Sequence, residues 1–220
     1  MREIIYTAFT SLDGVVDSPG GGPGEDHPSG GWVMDVEFRP EAFALKEEEL
    51  AETSTLMFGR RSYEAFATTW PDSADHAAYK ELPKYVVSTT LPEDAAVEGW
   101  GPLTVLRSAE EVARAKQGDG GAIVIHGSAE LARRLSDAGL IDRYHLLVFP
   151  VLLGSGKSLW SRTDRTGSSS SCWTPRLTAT SCRSSSTGPS RPGGRASRRV
   201  RTRPRTSRSG RAGRRSRRRR

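Results

Sequence analysis

Three short stretches of this chain set small, hydroxyl-bearing or cationic residues directly after apolar runs. In residues 56–66, LMFGRRSYEAF, Gly59 closes the run and Arg60, Arg61 and Ser62 follow it. A helix starting there turns free N–H groups and positive potential toward whatever lies before it, which suits a phosphate. Arginine adds a planar fork for bidentate contact. The same residues equally describe a capped helix start with two solvated arginines. In residues 123–135, IVIHGSAELARRL, Gly127 lets backbone approach a ligand and Ser128 opens the next helix. One glycine is less than a G-x-G-x-x-G fingerprint, so a tight strand-to-helix turn with a serine cap is the alternative. His126 reads as a packed side chain. In residues 87–91, VSTTL, Ser88 and Thr89 lead a row of three hydroxyls at the end of another apolar run. They suit phosphate or ribose, and equally the backbone of their own turn. Three such turns, all at the C-terminal ends of strands, fit a nucleotide lying across the edge of a sheet.

Other chemistries find little support. The four histidines, His27, His76, His126 and His145, have no metal-ligand spacing, so no metal site is expected. Both cysteines, Cys172 and Cys182, lie after Thr166, and no G-x-S-x-G elbow occurs. A hydride carrier bound as a cofactor needs neither metal nor covalent nucleophile.

The elements that must position these turns alternate. Residues 3–14, EIIYTAFTSLDG, read as a buried first strand ending on an Asp-Gly turn. Residues 17–31 are too rich in Gly and Pro for regular structure, and a loop of this length inside a domain is usually functional or disordered. A helix is predicted from Pro40 to about Ser54, a strand to Gly59, and a short helix stopped by Pro71. Strands follow at 84–91, 103–108, 122–127 and 143–154. Helices follow at 108–116, with a Ser108–Glu111 capping box, and at 128–139, with Gly139 as its stop. Strands alternating with helices imply a three-layer α/β domain with a mostly parallel central sheet.

The chain resembles the dihydrofolate-reductase-like family that includes the reductase domain of bacterial riboflavin deaminase-reductases, and its small stand-alone members above all. SLDGVV, LMFGRRSYE, KYVVSTTL, IVIHGSAELARRL and FPVLLGSGKSLW occur in family order. The resemblance implies a three-layer α/β/α dihydrofolate-reductase-like fold that binds NADPH. Gly59, Arg60 and Ser62 match the family's G-R-x-[ST] cofactor turn. Ser88 and Thr89 match its adenosine-phosphate edge, and Gly127 and Ser128 its pyrophosphate turn. Arg60 or Arg61, with Ser88 or Thr89, is expected near the 2′-phosphate, giving NADPH preference over NADH. Asp13 and Gly14 match the stretch beside nicotinamide and substrate. Asp13 is read there as polarising the substrate or relaying a proton, or else as a turn aspartate capping local N–H groups. Pro150, Leu153, Gly154 and Gly156 match the segment bordering the substrate pocket, and loop 17–31 falls where the family has a mobile active-site loop. His126 departs from the family, standing where better-known reductases carry a second glycine.

The resemblance ranks a small-molecule substrate of the riboflavin pathway first: 5-amino-6-(5-phosphoribosylamino)uracil, reduced at a sugar carbonyl or its imine. Lys157 is the candidate cation for its phosphate, or simply a solvated lysine. A dihydrofolate or pterin-type reductase ranks second, and a nucleotide-binding module without catalysis is the non-enzyme alternative. No H-x-E…P-C-x-x-C deaminase signature precedes the first strand, so a separate deaminase or another substrate is expected.

The remaining question is the tail. Of 33 basic residues, 17 lie in residues 167–220, all of them Arg, and none of the 26 acids does. Residues 1–166 are therefore an acidic, cysteine-free domain long enough for a real core. The basic tail reads as disordered, and the final strands of the fold as lost. With one base restored after the GG of the Gly167 codon, one codon choice for residues 167–173 gives an alternating strand, so we read the tail as the frameshift product of a single-base deletion. It would bind polyanions without being a selected nucleic-acid arm. No segment has the apolar length of a membrane span and no signal peptide is visible, so a cytoplasmic protein, monomeric or homodimeric, is expected.

Overall fold

The computed structural model describes residues 1–22, 26–37 and 39–159, with the backbone of Arg176–Ala179. Strand β1 (Ile4–Ser11) is followed by α1 (Pro40–Glu52), β2 (Thr53–Gly59), α2 (Arg60–Ala67), a 3-10 turn (Ala74–His76) and the single helical turn α3 (Ala77–Lys80). Then come β3 (Lys84–Val87), β4 (Leu103–Leu106), α4 (Ala109–Lys116), β5 (Ala122–His126), α5 (Ala129–Asp137), β6 (Arg143–Phe149) and β7 (Arg176–Ala179).

The strands form one sheet in the order β4-β3-β2-β5-β1-β6-β7, with every ladder parallel. Parallel neighbours need crossovers; helices supply those after β1, β2, β4 and β5, on both faces, while β3 and β4 are joined by the helix-free segment 88–102. Side chains alternate across β1. Ile4 and Tyr6 point with Met57, Ile123 and Ile125 into a core closed by Val112 of α4 and by Leu131, Ala132 and Leu135 of α5. Ile5 points the other way, with Leu56, Phe58, Val86 and Val124, beneath Tyr63 of α2 and Trp100. On that second face Leu147 and Phe149 of β6 meet Ala42 and Leu45 of α1. The expected three-layer α/β/α architecture with a parallel sheet is therefore present.

Ser108 caps α4 as expected, its hydroxyl accepting from the Glu111 N–H, while Glu111 returns to the Arg107 N–H at 2.6 Å. β3 is shorter than expected, ending at Val87, so Ser88 and Thr89 lie just past the strand.

The tail requires one correction. Arg176–Ala179, inside the stretch read as disordered, forms β7 and pairs parallel to β6 from His145↔Arg176 to Val148↔Ala179. The final strands are thus not wholly lost. β6 without β7 is an edge strand with unpaired N–H and C=O groups, and a four-residue segment flanked by Pro175 is long enough to pair with it. Compact units divide at Arg183/Ser184, beyond the boundary expected at Thr166. The frameshift reading and the rest of residues 167–220 lie outside the described residues. Among the described residues no helix is long and apolar enough to cross a membrane.

Candidate active site

The connections leave β1 and β5 in opposite directions. From β1 the chain passes through α1 to β2, beyond β5, whereas from β5 it passes through α5 to β6, beyond β1. A crevice at the C-terminal ends of two such strands is the usual ligand position in an open α/β sheet. Here it begins at one defined row. The β1–β5 ladder ends at Thr7↔His126, while β1 runs on beside β6 to Ser11↔Phe149.

Two of the turns singled out in the sequence meet at this edge. The Gly59 N–H donates to the Ser128 hydroxyl at 3.0 Å, and the Ser128 N–H donates to the Ser62 hydroxyl at 3.1 Å. Ser128 therefore does not cap α5 with its side chain, as the sequence allowed; it turns back to bind the strand-to-helix turn of β2. Gly127 and Ser128 both have positive φ, +57° and +53°. For Ser128 this conformation is costly, by roughly 1–2 kcal/mol, and the two cross-turn hydrogen bonds hold it there.

Arg60 and Arg61 fill the first turn of α2, which contains no acid. Cations at a helix N-terminus oppose the helix dipole, and a bound anion relieves that cost. Arg60 is tied to Glu64 at 2.7 Å and to the Thr90 hydroxyl at 3.0 Å, so it joins α2 to the 88–91 turn. Arg61 is exposed and makes no ion pair among the described residues. The Ser88 hydroxyl accepts from Thr90 and Leu91 N–H groups, bracing its own turn, and Thr89 is exposed. Arg107, which sequence reasoning passed over, braces that turn from below through the Ser88 and Leu91 carbonyls, both at 2.8 Å.

Asp13 follows β1. Its carboxylate accepts from the Ser11 hydroxyl at 2.5 Å, from Gly154 N–H at 2.7 Å and from Leu153 N–H. These bonds, Ser11's first, hold its pKa down at about 2. It is an anion latched to the 150–156 segment, an occupation closer to the turn aspartate than to the proton relay. Gly14 stands at φ +82° in the same turn. Val16 N–H donates to the Lys157 carbonyl at 2.8 Å, and Lys157 Nζ pairs with Asp17 at 2.9 Å. Residues 11–17 and 150–158 are thereby stitched together, with Pro150, Leu153, Gly154 and Gly156 on one strip of the seam. Gly156 has no room for a side chain: a Cβ would lie 2.6 Å from Val15 Cγ1. A hollow of about 210 Å³ opens beside Gly14, lined by Thr10, Leu146, Val148 and Leu159, on the face of β1 opposite α1.

The least expected group lies at the floor of the crevice. Thr7 faces His126 on one side and His145 on the other, giving a polar row across β5, β1 and β6. Lys46 and Glu49 of α1 cover it. Lys46 Nζ donates to the Thr7 hydroxyl at 2.5 Å and to Glu49 at 2.8 Å, and His145 Nδ1 meets the other Glu49 oxygen at 2.7 Å. Glu49 is 1% exposed. Burial pushes its carboxyl up, but the His145 hydrogen bond and the Lys46 charge outweigh it and hold the pKa at about 2. An ionised carboxylate only accepts, so His145 Nδ1 carries a proton. His126 is buried against the edges of Trp70 and Tyr79, and its Nε2, 3.8 Å from Glu49, has no hydrogen-bond partner among the described residues. Burial drives its pKa down to about 3, so it is neutral. The sequence signal for this group was faint: polar residues on three different strands, aligned only once the register is known.

These features define a three-layer, dihydrofolate-reductase-like α/β fold with a switch-point crevice. The chain belongs to the RibD C-terminal domain family, whose model matches residues 2–189. The uncharacterised protein YyaP of Bacillus subtilis strain 168 is 28% identical over 167 residues, covering 72% of this chain and 80% of that one. A protein of Shewanella sp. PV-4, provisionally designated a riboflavin biosynthesis protein, aligns over 74% of this chain and 85% of its own at TM-score 0.52 and 20% identity. The diaminohydroxyphosphoribosylaminopyrimidine deaminase/5-amino-6-(5-phosphoribosylamino)uracil reductase of Thermotoga maritima aligns over 72% of this chain and 47% of its own, at TM-score 0.50 and 10% identity.

Proposed function

We propose that this domain is an NADPH-dependent reductase. The observation that carries the reading is the junction of the β2–α2 and β5–α5 turns at the switch point. Two helix starts, Gly127 without a side chain, and the two arginines of α2, of which Arg61 has no ion pair among the described residues, together fit a dinucleotide pyrophosphate and a further phosphate. When bound, the cofactor supplies the hydride; the residues named here bind, orient and exclude water. The Gly127–Ser128 turn borders the pyrophosphate, with Ser62 fixing Ser128 and Ser128 holding the turn's shape, and Arg61 with Thr89 reaches the 2′-phosphate.

The substrate we propose is 5-amino-6-(5-phosphoribosylamino)uracil, in keeping with the family. A pterin substrate would call for an acid open to its ring. Glu49, the acid nearest the crevice floor, is covered and committed to Lys46 and His145. The test is NADPH oxidation by the full chain, with the pyrimidine phosphate and dihydrofolate in parallel. Oxidation with the pyrimidine phosphate supports the reading. Turnover of dihydrofolate alone moves the substrate to the pterin class, and NADPH binding without turnover of either leaves a nucleotide-binding module.

A further inference from the structure

Lys46 is held in place more firmly than a surface lysine and is more open than a core one. Its ammonium has three N–H donors. Two are taken, by Thr7 and Glu49, and the third has no acceptor among the described residues. The side chain is 22% exposed, whereas Glu49 beneath it is 1% exposed. The anion that fixes Lys46 is thus sealed, while part of the Lys46 side chain remains exposed. Thr7 is the last β1 residue paired with β5, so the ammonium stands where those strands part.

From this arrangement we propose that Lys46 is a catalytic residue, donating a hydrogen bond and then a proton to the heteroatom of the substrate C=O or C=N bond that accepts hydride. The inference rests on the reductase reading above and deepens it. The carbon of the double bond takes a hydride from NADPH, the π pair moves onto the heteroatom, and that atom takes a proton from Lys46. Water then reprotonates the amine, so one hydride and one proton are consumed per turnover.

The surroundings suit an acid. Burial lowers the Lys46 pKa from the usual lysine range, against the opposing charge and hydrogen bond of Glu49. The other titratable groups facing this pair are His126 on β5, His145 on β6 and Tyr79 on α3; β1 contributes Thr7 and the Phe9 ring. Neutral His126 adds no competing charge, and Glu49, fixed by His145, keeps the lysine pointed at Thr7.

The test uses the full chain carrying Lys46→Met, Lys46→Arg, or the neutral double change Lys46→Met with Glu49→Gln, which leaves no buried charge unpaired. Binding of 5-amino-6-(5-phosphoribosylamino)uracil, without cofactor, is read by calorimetry, and NADPH binding by fluorescence. Loss of Lys46 is expected to weaken the pyrimidine phosphate about tenfold or more, leave the NADPH Kd within about twofold, and lower kcat about 100-fold or more. Lys46→Arg is expected to move the basic limb of the kcat–pH profile upward. Unchanged binding of the pyrimidine phosphate in both Lys46→Met forms, or no binding by the parent protein, overturns the proposal. Lys46-dependent binding in a chain that does not bind NADPH sinks the cofactor reading and leaves the lysine site standing.

Discussion

Ser62 and Ser128 join two helix starts that lie 66 residues apart in the chain: the Ser128 N–H donates to the Ser62 hydroxyl, and the Ser128 hydroxyl accepts from Gly59. The junction can be undone one atom at a time. Ser128→Ala removes the acceptor and keeps the unfavourable φ, so a loss of about 1–2 kcal/mol in urea unfolding is expected. Ser128→Gly loses the same hydroxyl but relieves the backbone, and is expected to be about 1 kcal/mol more stable than the alanine form. Both are expected to weaken NADPH.

The two arginines of α2 should separate in cofactor titrations. Arg61→Ala is expected to weaken NADPH several-fold more than NADH, since its guanidinium is uncommitted. Arg60→Ala also releases Glu64 and the 88–91 turn, so part of its effect should appear with both cofactors. Equal losses for both cofactors in Arg61→Ala would remove the 2′-phosphate assignment.

Asp13→Asn is expected to leave the kcat–pH profile unchanged in shape. With a pKa of about 2 the native carboxylate is ionised at neutral pH and cannot supply the proton there. The cost should fall on the seam to Leu153 and Gly154, seen as faster amide exchange there.

Acid should destabilise the fold in two stages. His126 has a folded pKa of about 3 against 6.5, so below pH 6.5 the unfolded chain takes up a proton that the native state refuses. Stability falls with pH by up to about 1.4 kcal/mol per unit, with a smaller contribution of the same sign from His76, also lowered by burial. Below pH 4.5 the Glu49 contribution, complete above that value, is lost as the pH approaches about 2. His126→Asn should flatten the first stage and leave the second. Urea midpoints from pH 7 to 2 read both.

Gly156→Ala is expected to cost about 1–3 kcal/mol, since the new methyl overlaps Val15 Cγ1 at 2.6 Å. In a Val15→Ala background the cost should fall, leaving the strain of φ +123° and the His27 contact. Additive effects of the two changes in denaturant titration would show that the overlap is relieved elsewhere.

Much of the fold was legible because β5 is a nearly continuous apolar run, β1 and β2 carry clusters of apolar and aromatic residues, and α5 repeats Leu131 and Leu135 on one face. Each of these signals is local. The Gly59–Ser62 and Gly127–Ser128 turns were legible for the same reason, since glycine after a strand has few uses. The Lys46–Glu49–His145 group was not. Its members sit on two elements, up to 99 residues apart, and each alone reads as a helix-surface charge or an isolated strand polar residue. β7 was missed because RLTA is too short to stand out in serine-rich sequence; pairing with the exposed edge of β6, rather than its own composition, makes it a strand.

The order of the sheet has a consequence in time. β1 is made first, yet both its partners, β5 and β6, are made only after β2, β3 and β4, with Ser11↔Phe149 closing the ladder. During synthesis at about 5–20 residues per second, the IIYTAF run therefore waits on the order of ten seconds for its neighbours. Until then it is an unpaired apolar strand that any other chain can extend. Production should accordingly respond to slower, cooler translation and to chaperones that shield extended apolar segments, more than to changes on the finished surface.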